Sequence, residues 1–212
     1  MIAKVPSDEC IVYVIDDDAA VRDSLEFLLR SVDMSAKTFG SVREFMNCER
    51  LNAPGCMILD VRLPGMGGLE FQSEMKKLGI SLPIVFISGH ADVLMGVQAI
   101  KAGAIDFLCK PFRDQDLIDA VRSAIDTDTD RRKNEVSLSQ IRQCYEQLTP
   151  REKQVMWFVV SGMMNKQIAH QFGLSEITIK VHRAGIMRKM EVHSLAELVR
   201  HADAIRPEVK DV

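Results

Sequence analysis

Cysteine is scarce in this sequence, and its five copies (10, 48, 56, 109 and 144) form no C-x-x-C pair and no regular spacing. That pattern argues against a disulfide scaffold or a thiolate zinc site, and reads as small buried apolar side chains in a reducing compartment. Long apolar runs are missing as well, with none approaching the roughly 18 residues of a membrane-spanning helix. The opening Met1-Ile2-Ala3-Lys4 runs straight into Pro6-Ser7-Asp8-Glu9 and carries no signal-peptide pattern. The expectation is a cytoplasmic protein with no membrane partner. His90, His170, His193 and His201 have no metal-ligand spacing, and none is assigned a catalytic role. Disorder is not indicated either. A hydrophobic content of 47% over 212 residues suits one large or two modest domains.

What the chain does have is an uneven charge distribution beneath a net charge of −3. Residues 1–125 carry 13 basic against 18 acidic side chains, residues 126–146 carry 4 against 5, and residues 147–212 carry 10 against 7. An acidic half followed by a mildly basic one fits a regulator joined to a nucleic-acid binder.

The acidic half is organised around Asp60. It ends the run Cys56-Met57-Ile58-Leu59-Asp60, whose unbroken apolar character reads as a strand buried on both faces. The loop after it, Val61 to Gly68, holds Pro64 and three glycines. A carboxylate at the carboxyl end of a parallel strand lies where open α/β sheets bind ligands. Two more runs end in charge: Ile11–Ile15 followed by Asp16-Asp17-Asp18, and Ile105–Cys109 followed by Lys110-Pro111. If these strands are parallel neighbours, Asp16, Asp17 and Asp60 converge with the ammonium of Lys110. Clustered acids need a cation to coexist, and an all-oxygen set of that charge suits Mg²⁺. Asp60 is then left as a nucleophile able to form an aspartyl-phosphate.

This constellation resembles the receiver domain of two-component response regulators. Asp16-Asp17, Asp60, Ser88 in Val85-Phe86-Ile87-Ser88-Gly89-His90, and Lys110-Pro111 fall in the receiver order over residues 11–112. The resemblance implies that Asp60 is the phosphoacceptor, with Lys110 and Ser88 assisting. It also implies that Asp16, Asp17, Asp60 and the backbone carbonyl of Arg62 bind Mg²⁺. Ser88 and Phe107 become the switch pair, although Phe107 reads almost equally well as a plain core residue. Pro111 matches a cis peptide position.

Strand and helix alternate through this half. Val21, Leu25, Leu28, Leu29 and Val32 make an amphipathic helix capped by Asp18. Then come a strand at 35–39, a helix at 42–51, the Asp60 strand and a helix at 69–78. A strand at 84–87, a helix at 93–102, the Lys110 strand and a fifth helix near 117–125 complete it. The expectation is a doubly wound, five-stranded parallel sheet of flavodoxin type. The stretch 126–130, Asp-Thr-Asp-Thr-Asp, reads as either a loop or a strained passage in a longer helix. Leu138, Ile141, Tyr145 and Leu148 follow at heptad-like steps, which predicts a helical linker with a dimerising face.

The last part shows four helix patterns and no strand. Thr149-Pro150-Arg151-Glu152 and Ser194-Leu195-Ala196-Glu197 are capping boxes. Asn165 opens a helix that Gly173 ends, and Ser175 caps one over 176–190. Leu148–Glu152, Asn165–Ala169 and Thr178–Arg183 resemble the four-helix LuxR/FixJ-type helix-turn-helix domain. The two resemblances together imply a response regulator of the FixJ/NarL group. Its expected parts are a receiver at 1–125, a linker at 126–146 and a DNA-binding domain at 147–212.

Ile179, His182, Ile186 and Met190 share an apolar face, where His182 reads as a core residue. Lys180, Arg183 and Met187 are expected on the exposed face. Thr178, Lys180, Val181 and Arg183 are the candidate groove residues. Lys166 and Arg188, with Arg151 and Lys189, are candidate phosphate contacts. Where relatives carry Lys one position after Arg183, this chain has Ala184 and Gly185.

The resulting expectation is a phosphorylation-controlled transcription factor, not an enzyme. Its partners would be a sensor histidine kinase, promoter DNA, a second copy of itself when phosphorylated, and RNA polymerase as a further candidate. The alternative is a Mg²⁺-dependent phosphatase working through an aspartyl-phosphate. Enzymes of the haloacid dehalogenase type carry Asp-x-Asp on the first strand, whereas the acids here are contiguous and the best nucleophile ends the third. A constitutive, unphosphorylated DNA binder is the third reading.

Overall fold

The structure is a computed structural model, and it describes residues 10–89 and 93–206. His90 and the stretch before Cys10 lie outside the described residues. The chain divides into two compact units, Met1–Arg132 and Lys133–Val212.

The amino-terminal unit alternates five strands with helices. In chain order they are β1 (Ile11–Ile15), α1 (Ala19–Ser31), β2 (Ser35–Phe39), α2 (Val42–Met46), β3 (Gly55–Asp60), α3 (Gly68–Met75), β4 (Ile84–Ser88), α4 (Val93–Lys101) and β5 (Asp106–Cys109). The helix α5 (Asp114–Glu146) follows, and the division between units falls within it. All strand pairings are parallel, in the order β2-β1-β3-β4-β5. The fold is the expected doubly wound sheet, with β3 central.

Alternate residues of each strand serve two cores, which is why the strand sequences are apolar throughout. One face of β1, β3 and β4 (Tyr13, Met57, Leu59, Phe86) packs with Phe45 of α2 and Phe71 of α3. The other (Val12, Val14, Cys56, Ile58, Val85, Ile87) packs with Leu25 and Leu29 of α1 and Leu117, Val121 and Ala124 of α5. Burial of such side chains contributes about 1.5–3 kcal/mol each. Two glycines are sterically required. A Cβ on Gly55 would lie 2.2 Å from the Ile11 carbonyl oxygen, and one on Gly68 would lie 2.4 Å from that of Asp60.

Two expectations about this unit need correction, and one open alternative is decided. The helix predicted over 42–51 ends at Met46: the Asn47 amide closes its last turn, and the Leu51 N–H is donated to Tyr13 Oη. Cys109 is exposed, unlike buried Cys56, and all five cysteines are free thiols. Of the two readings of the acidic stretch 126–130, the passage within a longer helix holds and the loop does not, because α5 runs straight through it. Asp128 explains why. It is fully buried and accepts hydrogen bonds from the Gly55 N–H (3.0 Å), Arg131 and Arg132 (2.8 Å to Nε). Arg132 in turn donates to the Asn52 side chain at 2.8 Å. Tertiary partners thus offset the weak helix propensity of the run.

The carboxy-terminal unit contains the end of α5 and four further helices: α6 (Pro150–Val160), α7 (Asn165–Phe172), α8 (Glu176–Lys189) and α9 (Leu195–Ile205). The Thr149 capping box closes as predicted, with Pro150 in the first turn. At α9 the Ser194 hydroxyl caps the Glu197 amide, but the Glu197 carboxylate takes the N–H of His193 (2.7 Å). Tyr145 and Leu148 are buried here, and Leu138 and Ile141 pack beside them on the core of Val155, Met156, Ile168, Ile179, Ile186 and Leu198. The heptad-like stripe is therefore used inside its own unit and is no free dimer seam.

Candidate functional site

Because β1, β3 and β5 are parallel, their carboxyl ends emerge on one edge of the sheet. β1 delivers Asp16, buried, and Asp17, exposed; β3 ends on Asp60 itself, 7% exposed; β5 delivers Lys110. Lys110 Nζ lies 2.6 Å from Asp16 Oδ2 and 2.6 Å from Asp60 Oδ2. The remaining oxygens are held by backbone. Asp16 Oδ1 accepts the Asp18 N–H at 2.9 Å, and Asp60 Oδ1 accepts the Arg62 N–H at 2.7 Å. Arg22 donates to the carbonyls of Asp16 and Asp17 at 2.7 and 3.0 Å, fixing the turn after β1.

Oxygen atoms of Asp16, Asp17 and Asp60 all lie within 4.8 Å of one another. Burial pushes the Asp16 carboxyl above its ordinary range, outweighing the bond from Lys110. For Lys110, burial pulls downward, but the hydrogen bonds and charges of Asp16 and Asp60 together raise it. Three carboxylates thus face one ammonium. This is a hard-oxygen set with surplus negative charge, which a divalent cation retaining several waters would neutralise.

Ser88 is buried at the end of β4, opposite Cys109, and its carbonyl accepts the Lys110 N–H at 2.7 Å. Phe107 is half-buried. Its ring lies 6.3 Å from that of Phe86 and against Gly96 of α4, where an added Cβ would sit 3.4 Å away. The Lys110–Pro111 peptide is cis.

In the carboxy-terminal unit, α7 ends at Gly173, which is left-handed (φ 63°), and α8 follows two residues later from its Ser175 cap. Helix, tight turn, helix is the helix-turn-helix arrangement. On α8, Ile179, Ile186 and Met190 are buried, while Lys180, Val181, Ala184 and Arg188 are exposed, as is Lys166 on α7.

Comparison with known proteins agrees with both halves. The description "Response regulator receiver domain" matches residues 12–122, and "Bacterial regulatory proteins, luxR family" matches residues 146–202. Nodulation protein W of Bradyrhizobium diazoefficiens is 46% identical over 94% of this chain and 88% of its own. The chain belongs to the response regulators. Transcriptional regulatory protein FixJ of the same organism is 43% identical, over 90% of this chain and 93% of its own. Among solved structures, the response regulator StyR superposes with a TM-score of 0.79 at 43% identity, covering 92% of this chain and 98% of its own. Full-length FixJ from B. japonicum gives 0.56 at 42% identity, covering 93% and 97%. Receiver and LuxR-type domain together make this chain a two-component regulator of transcription. Among the described residues, no helix is long and apolar enough to cross a membrane.

Several candidate DNA contacts in this regulator have partners inside the protein. Arg183 is half-buried and donates to Asn165 Oδ1 at 2.8 Å, and Met187 packs against the core; neither lies on an open face. Thr178 Oγ1 is 2.9 Å from the Ser175 hydroxyl. Lys189 is bonded to buried Glu152 at 2.6 Å, and Arg151 stacks on Phe172 with its guanidinium carbon 3.8 Å from the ring centre. His182 is half-buried rather than fully enclosed. Gly185 has a local reason, since a Cβ there would lie 2.8 Å from Glu152 Oε1. Sequence reasoning missed Asn165, Glu152 and Asp128. Only Glu152 had a visible signal, as the last residue of the Thr149 capping box, and that signal did not reveal its bond to Lys189.

Proposed function

We propose that Asp60 accepts a phosphoryl group from a sensor histidine kinase. The observation that carries this reading is the lysine shared by Asp16 and Asp60, with the carboxylate of Asp17 beside them. Asp16, Asp17, Asp60 and the backbone carbonyl of Arg62 would hold Mg²⁺, whose chemistry is to neutralise charge building on the transferring phosphoryl oxygens. The Asp60 oxygen attacks phosphorus in line while the bond to the donor imidazole breaks, leaving a carboxyl-phosphoryl anhydride on Asp60. Arg62 N–H fixes one Asp60 oxygen so that the other is presented to the donor. Lys110 pairs with Asp60 before transfer and with the phosphoryl group after it. The Ser88 hydroxyl would hydrogen-bond a phosphoryl oxygen, and Phe107 would follow it, altering the α4–β5–α5 face and favouring a homodimer.

Residues 1–125 would act as receiver, 126–146 as linker and 147–212 as DNA-binding domain. The linker's first turns, through Arg132, pack with the amino-terminal unit. Lys180 and Val181 would enter the major groove with Thr178 beside them, Arg183 would join them only by releasing Asn165, and Lys166 and Arg188 would contact phosphates. A dimer would occupy half-sites about one helical turn, roughly 34 Å, apart. The protein would act in the cytoplasm as a regulator and not as an enzyme, with RNA polymerase as its downstream partner.

The test is a titration of an operator, at fixed salt, with phosphorylated and unphosphorylated protein. Tighter binding of the phosphorylated form, lost in Asp60→Asn, is expected. Equal affinity and stoichiometry in the two states would contradict the proposed switch.

A further inference from the structure

The face that α8 turns to solvent is more apolar than a groove-reading helix needs for phosphate contact alone. Ile177 is 74% exposed and Val181 67% exposed, the two most exposed large aliphatic side chains among the described residues of the carboxy-terminal unit. They stand four residues apart, and exposed Ala184 continues the same strip. Two polar side chains of α8 are already engaged, Thr178 with the Ser175 hydroxyl and Arg183 with Asn165, while Glu176 at its start is exposed. Exposed Lys180 and Arg188 flank the strip, so its surroundings favour a polyanion over an apolar protein partner.

We infer that Ile177 and Val181 read thymine C5-methyl groups in the major groove, with Ile177 as a specificity-determining residue. This rests on the DNA-binding role proposed for α8 and adds the chemistry of the bases read. The first turns of a recognition helix are those that reach base edges, and Ile177 lies in the first turn of α8. The major-groove feature that an aliphatic side chain can recognise is the thymine methyl. Both residues are β-branched and stiff at χ1 on a helix, so little side-chain freedom is lost on docking. Small Ala184 lets the helix backbone approach closely. The half-site should therefore carry A·T pairs at adjacent positions beneath the amino-terminal turns of α8.

The natural promoter need not be identified for the test. The full chain, treated with acetyl phosphate, is used to select an operator from a random-sequence DNA pool. Dissociation constants are then measured on that operator and on copies in which single thymines are replaced by deoxyuridine, which removes only the methyl. Wild type should lose about fourfold at one or two positions, the worth of one buried methyl-sized group. Ile177→Ala should bind the thymine operator correspondingly more weakly and lose nothing further at one of those positions. Val181→Ala should do the same at its neighbour. A melt followed by fluorescence of Trp157, the chain's single tryptophan, checks that the variants fold. If no thymine position is sensitive, or Ile177→Ala keeps the full sensitivity, the methyl-reading assignment is wrong while DNA binding stands. If no sequence is enriched, the DNA-binding reading falls with it.

Discussion

A buried carboxylate stands at each end of β3, Asp128 of α5 at one and its own Asp60 at the other, and the two are built differently. At its amino end Asp128 has no exposure and is saturated, its oxygens taken by two arginines and the Gly55 amide. At its carboxyl end Asp60 keeps 7% exposure and shares the cation of Lys110 with Asp16. The first has more cation than it needs, and the second less. A carboxylate with surplus donors anchors structure; one in deficit, at a strand end beside a third acid, has binding capacity left for a cation or a phosphoryl group.

The contrast can be broken by mutation. Asp128→Ala should cost about 3 kcal/mol of unfolding free energy, because it removes the buried acceptor that two arginines and a strand amide share. Asp60→Ala should stay within about 1 kcal/mol of wild type, since it also removes repulsion from Asp16 and Asp17. Urea unfolding of both variants measures the difference. Equal costs would erase the distinction between anchor and reactive site.

Next in size, Asp17→Ala should weaken Mg²⁺ binding at least about tenfold, the loss of one charged contact. Calorimetric titration reads this directly, and an unchanged affinity would remove Asp17 from the site. In the carboxy-terminal unit, Gly185→Ala should cost about 1 kcal/mol by pushing Glu152 out of its capping box, read by Trp157 fluorescence on heating. An unchanged midpoint would show that Glu152 yields without loss.

Acid should act oppositely on the two units. Asp16 has a raised folded pKa, so its protonation favours the folded state as pH falls through that value. As pH falls, Mg²⁺ binding should meanwhile begin to weaken while the pH is still above the ordinary carboxylate range, and Asp16→Asn should remove that component. At Glu152 burial pushes upward, but Lys189 and the Thr149 bonds outweigh it and leave the pKa lowered. Its stabilisation is present above the unfolded pKa and is lost as pH falls through the folded one. Loss of unit stability on acidification that persists unchanged in Glu152→Gln would point to another group.

The same contrast explains what was legible in the sequence. Asp16, Asp17, Asp60 and Lys110 each follow an apolar run, so a parallel sheet was enough to bring them together. The fold class was readable for the same reason, through apolar strands separated by amphipathic helices. Asp128 sits in an alternating acidic run that does not reveal which acid faces inward, and its Gly55 partner is 73 positions away. On α8, helical spacing separated Ile179 and Ile186 from Lys180 and Val181. It could not show that Asn165 would tie down Arg183, or Glu152 Lys189. Those pairings depend on how α6 and α7 pack against α8, which no local period encodes.

The central claim, that Asp60 alone is the reactive carboxylate, is tested most directly by phosphoryl incorporation from acetyl phosphate. Peptide mass spectrometry would map the label in wild type, Asp60→Asn and Asp128→Asn. The expected result is label on Asp60 alone in wild type, none in Asp60→Asn, and label retained in whatever fraction of Asp128→Asn is folded. Undiminished labelling of Asp60→Asn would contradict the claim.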